Sequence, residues 1–257
     1  MCTRSGALAC MAAALGGLPP RGAVARRCRV SPAAAYPLGM TGSIRSTNLG
    51  HPKPDPGTPR LTGIDKRPVP AIEVFTPGPS YGDGPGVVGD LIGDVQHHGG
   101  AQKAVYAFSR EELDWWEGEL GRGLSDGMFG ENLTTEGLDL EALLINQRLR
   151  VGEDVILEVS IPRTPCATFQ RHLGERAWVR RFTERGGCGA YLRVVVPGQV
   201  RAGDRVEVLE PPGHDIDMRT AFASAMGDDE AGRRVLTAEC LPPMYHQRLV
   251  RRYAPAG

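Results

Sequence analysis

The sequence predicts a mainly β fold: a barrel of short strands with peripheral helices and a short C-terminal α-helical subdomain. Three observations predict it. Glycine and proline are abundant, at 34 and 21 of 257 residues, which favours a loop-rich, strand-rich body over a helical bundle. Two phrases resemble each other, residues 148–159 and 200–209, each reading strand, Gly-acidic turn, strand, with period-two alternation in the second arm. After Pro211-Pro212-Gly213 the pattern changes to helical pieces.

The elements follow in order from Gly42. Residues 43–48 and 71–75 read as short strands separated by a turn-rich stretch, residues 50–59. Residues 78–86, dense in Gly, Pro and Asp, form an irregular loop, and residues 104–108 are a strand by their Val, Tyr and Phe content. Residues 109–120 are the clearest helix: Ser109 caps it, Glu112 completes a capping box, Leu113, Trp116 and Leu120 make the inward stripe, and Gly121 suits the C-terminal cap. Residues 154–160 and 204–209 are read as hairpin strands, 174–185 as a helix, and 191–196 as a strand. Residues 220–226, 230–236 and 244–253 are three short helical pieces, too few to fold alone, so they dock on the body or on a second subunit.

This divides the chain into a leader (1–40), a barrel domain (41–211) and a helical tail (212–257). Residues 1–54 hold no Asp or Glu but carry Arg4, Arg21, Arg26, Arg27, Arg29, Arg45 and Lys53, so the rest of a chain of zero net charge is acidic. An acidic body argues against nucleic-acid binding. The leader suits an extension upstream of a true start at Met40 or a plainly disordered, non-globular segment, a secretory signal with Ala7–Leu18 as its core, or an Arg-rich organelle transit peptide. No apolar run reaches the roughly 18 residues of a membrane span. Of the six cysteines, Cys2, Cys10 and Cys28 fall in the leader and Cys166, Cys188 and Cys240 in the body, without a CxxC pair. Reduced thiols in a cytoplasmic protein are the simplest account, with export or organelle targeting through the leader as the competing ones.

Four phrases carry chemistry. In Arg163-Thr-Pro-Cys166 the prolines stiffen a loop that leaves Cys166 at the start of a helical turn, where unpaired N–H groups and Arg163 favour a thiolate. Such a sulfur serves as a nucleophile or as a ligand to a soft metal; a buried structural cysteine is the competing reading. In Gly89-Asp90…His97-His98-Gly99-Gly100…Lys103 the paired glycines suit either close approach to a ligand or a φ > 0 turn. The two histidines point to opposite sides if the segment is extended, so a zinc site from both with Cys166 is not expected. Lys103 meets an anionic group or solvent. In Phe129-Gly-Glu-Asn132-Leu, Asn132 has the donor and acceptor that reading a heterocycle edge requires, or is a turn residue. In Gly186-Gly-Cys-Gly-Ala-Tyr191-Leu-Arg193, Arg193 is a phosphate clamp or a rim ion pair. Gly-rich loops at strand ends with basic, polar and thiol side chains suit a phosphate-bearing cofactor.

Together, in this order and spacing, the four phrases resemble the MOSC family, named from the C-terminal domain of molybdenum cofactor sulfurase. The resemblance spans residues 42–210, and the helical tail resembles that of small stand-alone bacterial members. The chain departs from the pattern at Gly100-Ala101-Gln102-Lys103, where relatives usually read Gly-Gly-Pro-Asp-Lys. The resemblance implies a β-barrel that holds molybdenum cofactor of the molybdopterin type, with Cys166 as metal ligand and catalytic residue. It also implies cofactor-binding roles for His98, Gly99, Lys103, Asn132, Arg163, Thr164 and Arg193. The activity it implies is reduction of N-hydroxylated compounds, such as hydroxylamino-purines, to amines. No flavin or iron–sulfur motif is present, so electrons are expected from an external flavin or Fe–S protein. A homodimer is a further expectation. The alternative is a sulfur-carrier or cofactor-handling module that uses a Cys166 persulfide.

Overall fold

Residues 41–254 are described in a computed structural model; the leader and its start, signal and transit readings lie outside them. β1 (Thr41–Gly50) is followed by the short pair β2 (Lys53–Pro54) and β3 (Leu61–Thr62), then β4 (Lys66–Val69) and β5 (Ala71–Val74). β6 (Val105–Ser109) runs into helix α1 (Arg110–Leu120), and β7 (Leu133–Glu136) comes next. A hairpin of β8 (Arg148–Val151) and β9 (Val155–Pro162) leads to two short helices, α2 (Ala167–Leu173) and α3 (Trp178–Arg185). Then come β10 (Ala190–Val196), β11 (Gly198–Arg201), β12 (Arg205–Val208) and three helices, α4 (Met218–Ala225), α5 (Asp229–Ala238) and α6 (Pro243–Tyr253).

Seven strands close a barrel in the order β12-β8-β9-β10-β6-β7-β1, with β1 pairing back to β12. Closure leaves the ring without an open edge. β1 is long enough to serve two partners along one side: Thr41–Ser43 pair with β12, and Thr47–Gly50 pair with β4. The β6–β7 pair is parallel, so the chain must cross between them, and α1 makes that crossover. All five residues of β6 are buried because the strand lies between β10 and β7 in the ring.

α1 forms where the sequence indicates. The Ser109 hydroxyl accepts the Glu112 N–H at 3.2 Å, and Gly121 closes the helix in the left-handed region at φ 64°. The capping box is only half made, because the Glu112 carboxylate takes Arg185 at 2.6 and 2.9 Å instead of returning to Ser109. Leu113 and Trp116 point inward onto an aromatic cluster with Phe129, Phe169, Trp178 and Phe182. All four of these rings are fully buried, and each contributes on the order of 1.5–3 kcal/mol through apolar burial.

Two expectations are corrected. Residues 174–185 are not one helix: Gly174 at φ 72° closes α2 and Ala177 at φ 54° precedes α3, so only Trp178–Arg185 is helical. The phrase at 200–209 is not a hairpin like its counterpart at 148–159. β11 pairs with β5, and β12 pairs with β8 and β1. The turn between them gives its backbone bonds to β1, with Gly203 N–H donating to Ile44 O at 2.7 Å and Ile44 N–H to Asp204 O at 2.8 Å. The helices after residue 213 dock through α4, which packs on β9 of the barrel and whose buried Phe222 meets Phe182 of α3 at 6.2 Å between centroids. Among the described residues no helix is long and apolar enough to cross a membrane.

Candidate functional site

Cys166 is aimed by the helix that begins directly after it. The residue is the N-cap of α2, in extended geometry at φ −138°. One turn on, Phe169 is buried in the aromatic cluster, which fixes the helix and turns the half-buried thiol toward a cleft of about 110 Å³. Of the cysteines described, Cys188 and Cys240 are buried, and Cys166 alone lines this cleft.

Arg163 approaches the same cleft from the end of β9. It is 6% exposed, its guanidinium stacks 3.9 Å from the Phe169 ring centroid and 4.8 Å from that of Tyr106, and it donates to Phe129 O. Among the described residues no carboxylate pairs with it. A buried cation without a counter-ion is costly, and stacking on two rings offsets part of that. Lys103 lies opposite at the end of a 3-10 turn, Ala101–Lys103, with its ammonium donating to His97 O at 2.8 Å and 5.4 Å from the Tyr191 ring centroid. Burial first, then the Arg248 and Arg163 charges, lower its pKa to about 8. Burial, with Lys103 and Arg163, lowers that of His98 to about 3, so this imidazole is neutral in the cleft. Burial pushes the Tyr191 phenol up to about 12 and that of Tyr106 well above its usual value.

The histidine segment is a turn, not an extended strand: the N–H groups of His97 and His98 both donate to Asp94 O, at 3.2 and 3.0 Å. His98 consequently lines the cleft while His97 is exposed and pairs with Asp94. Gly99 and Gly100 hold φ 88° and 74°. Their need is for close approach to the chain itself, since a Cβ on Gly100 would stand 2.2 Å from Ser80 O. Asn132 lines the cleft, but its amide is already engaged. It accepts from Tyr106 N–H at 3.2 Å and donates to Asp90 at 2.8 Å and Asn48 O at 3.4 Å. The cleft thus brings together Cys166, Arg163, Lys103, His98, Gly99 and Asn132.

Two expected residues stand apart. Thr164 is exposed beside the cleft, since burying Arg163 turns its neighbour outward. Arg193 faces Glu158 at 2.5 Å, Asn146 at 2.6 Å and Gln102 at 2.9 Å, which is the rim ion pair and not the phosphate clamp. Residues that the sequence does not single out also line the cleft: Arg60, Lys66, Tyr106 and Tyr191. Lys66 is bound to Asp90 at 2.5 Å, with side chains 7% and 3% exposed. No local pattern marks Lys66 or Arg60. Tyr106 and Tyr191 are directly opposed on β6 and β10, a pairing visible only once the strands are aligned.

The profile of the MOSC domain matches residues 94–207, from the histidine turn to β12. YflK of Bacillus subtilis is 36% identical over 181 residues, covering 70% of this chain and 78% of that protein. The chain belongs to the MOSC family. A MOSC relative, YiiM of Escherichia coli, is 28% identical over 173 residues, or 76% of its length. A protein of Gibberella moniliformis named "Reductase" is 33% identical over 138 residues, of which the match spans 24%. Among solved structures, YiiM of Geobacillus stearothermophilus superposes with a TM-score of 0.67 over 83% of this chain and 100% of that one, at 24% identity. That likeness concerns the fold. MOSC domains are associated with molybdenum cofactor.

Proposed function

We propose that this MOSC protein binds molybdenum cofactor in the cleft, with Cys166 as its ligand to the metal, and reduces N-hydroxylated compounds of the hydroxylamino-purine kind to amines. The observation that carries the reading is one accessible thiol set between two cations, Arg163 and Lys103, that lack a carboxylate partner among the described residues. The donor set fits the cofactor better than a bare ion. Among the described residues no group of three or more His, Cys, Asp or Glu is placed to hold a metal. A metal that arrives with ligands of its own needs one further soft donor, and Cys166 is that donor.

When bound, the cofactor supplies two-electron abstraction of an oxygen atom. The chain's own residues bind and orient. Arg163 and Lys103 meet the anionic phosphate of the pterin. His98, neutral, offers one ring N–H and one acceptor. Tyr106 and Tyr191 stay protonated and form the wall between the two cations. Conversion of N–OH to N–H with release of water consumes two electrons and two protons. The electrons come from a separate flavin or iron–sulfur protein, and Lys103, whose pKa burial lowers to about 8, is able to give a proton in the cleft.

The test is metal analysis and turnover of cofactor-loaded protein, wild type and Cys166→Ser. The expected result is molybdenum retained by wild type, lost from the variant, and turnover lost with it. Turnover by the variant without molybdenum rejects the reading. A labile extra sulfur on Cys166 in intact mass of molybdenum-free protein favours a sulfur carrier instead.

A further inference from the structure

The cleft holds two further cations: Lys66, bound to the buried Asp90, and Arg60, whose pairing differs from that of Lys66, Arg163 and Lys103. Arg60 stands at the end of the β2–β3 turn and contacts two carboxylates: Asp55 at 3.3 Å and Asp94 at 3.1 Å. Asp55 does not need it. That carboxylate is 1% exposed and is already held by Arg171 through three contacts of 2.8–3.0 Å and by the Thr168 hydroxyl at 3.0 Å. Burial opposes its charge, yet the bonds from Arg171 and Thr168 hold its pKa below the usual value. Asp55 therefore anchors the guanidinium from behind. The contact to Asp94 is of another kind. Both side chains are part-exposed, 35% and 24%, both line the cleft, and a pair of that exposure contributes little.

We infer that Asp94 is an internal stand-in for a ligand anion: a phosphate group entering the cleft takes Arg60 from Asp94, and Arg60 joins Lys103 and Arg163 as an anion-binding residue. The inference rests on the reading of the cleft as the seat of a phosphate-bearing ligand. Two fixed cations attract the anion, and the exchange leaves both carboxylates with a hydrogen-bond partner. Asp94 keeps its contact with the ring of His97 at 3.2 Å, and Asp55 keeps Arg171. The exchange removes one link between the histidine turn, whose N–H groups donate to the Asp94 carbonyl, and α2, whose Thr168 hydroxyl receives Arg60 at 3.3 Å.

The experiment is calorimetric binding of inorganic phosphate to the full-length, cofactor-free protein, which needs no molybdenum and so can fail independently of the redox reading. Arg60→Gln is expected to weaken binding about tenfold, as loss of a charge-assisted contact does. Asp94→Asn is expected to tighten it about threefold, because the competitor is removed. The decisive arm is the double variant, which should match Arg60→Gln alone. If Asp94→Asn tightens binding equally in the Arg60→Gln background, Asp94 acts by simple repulsion and the exchange is rejected. His97→Gln, which leaves the Arg60 contact intact, should bind as wild type does; tightening there would trace the effect to a loosened loop and overturn the inference. Absence of phosphate binding by wild type overturns it as well. Repeating the titration on cofactor-loaded protein separates the sources. Binding abolished by loading assigns the subsite to the cofactor's phosphate, and binding retained assigns it to a phosphorylated substrate; the exchange stands in either case.

Discussion

At the scale of single residues, the cleft is built from one sulfur and cations of graded commitment. Arg163 is buried against two rings, Lys103 is half-buried with its pKa lowered to about 8, and Arg60 is divided between two carboxylates. Lys103 gives a direct pH prediction. Below about pH 8 the ammonium is charged and contributes to anion binding; above it the charge is lost. Phosphate affinity is expected to fall as pH rises through about 8, and Lys103→Met should abolish that fall, which titration calorimetry at two pH values reads. Cys166 was legible in the sequence because its phrase carries its own punctuation, two prolines before and a helical pattern after. Arg193 was not legible in the same way. Its partner Glu158 sits opposite it on a neighbouring strand, and a single sequence does not show which residue a strand register will bring across.

At the scale of elements, local chemistry decides some boundaries and tertiary pairing decides others. The capped helix α1 follows from its own residues, and Ser109→Ala should cost about 1 kcal/mol in chemical denaturation. The two Gly-acidic phrases look alike, yet one closes a hairpin and the other passes its hydrogen bonds to β1, because β1 is long enough to need a second partner. The break between α2 and α3 likewise depends on Gly174 and Ala177 taking left-handed geometry, which only the glycine announces. The loop pair at residues 78–86 and 94–100 packs backbone to backbone through Gly100. Gly100→Ala is expected to lower stability by about 2 kcal/mol or more, since it meets both an unfavourable φ and a carbonyl oxygen. Thermal melting checks the stability, and loss of phosphate binding checks that this loop carries His98 and Lys103 into the cleft.

At the scale of the whole molecule, barrel, crossover helix and C-terminal helices share one interior. Phe222 of α4 is 3% exposed, with its ring against Phe182 of α3, and Phe222→Ala should cost about 3 kcal/mol or more in denaturant unfolding. Two buried carboxylates contribute to the pH response. Burial raises Glu131 and Glu141 from 4.5 to about 7 despite backbone donors to each. Their folded pKa lies above the unfolded one, so the stability they contribute is complete below 4.5 and lost as pH rises through about 7. Buried His98 and His172, lowered to about 3 and about 4, act in the opposite sense below about pH 6.5, so the glutamate contribution is read as a difference: from about pH 5 to about pH 8 the melting temperature of Glu131→Gln should fall less, or rise more, than that of wild type. Phe129 joins the interior to the cleft: its ring contacts Trp116 and Trp178, and its carbonyl receives Arg163. Two of the protein's three tryptophans thus sit one residue away from the cation that meets a ligand. The molecule carries its own optical gauge, and a change in indole emission should follow occupancy of the cleft without any attached dye.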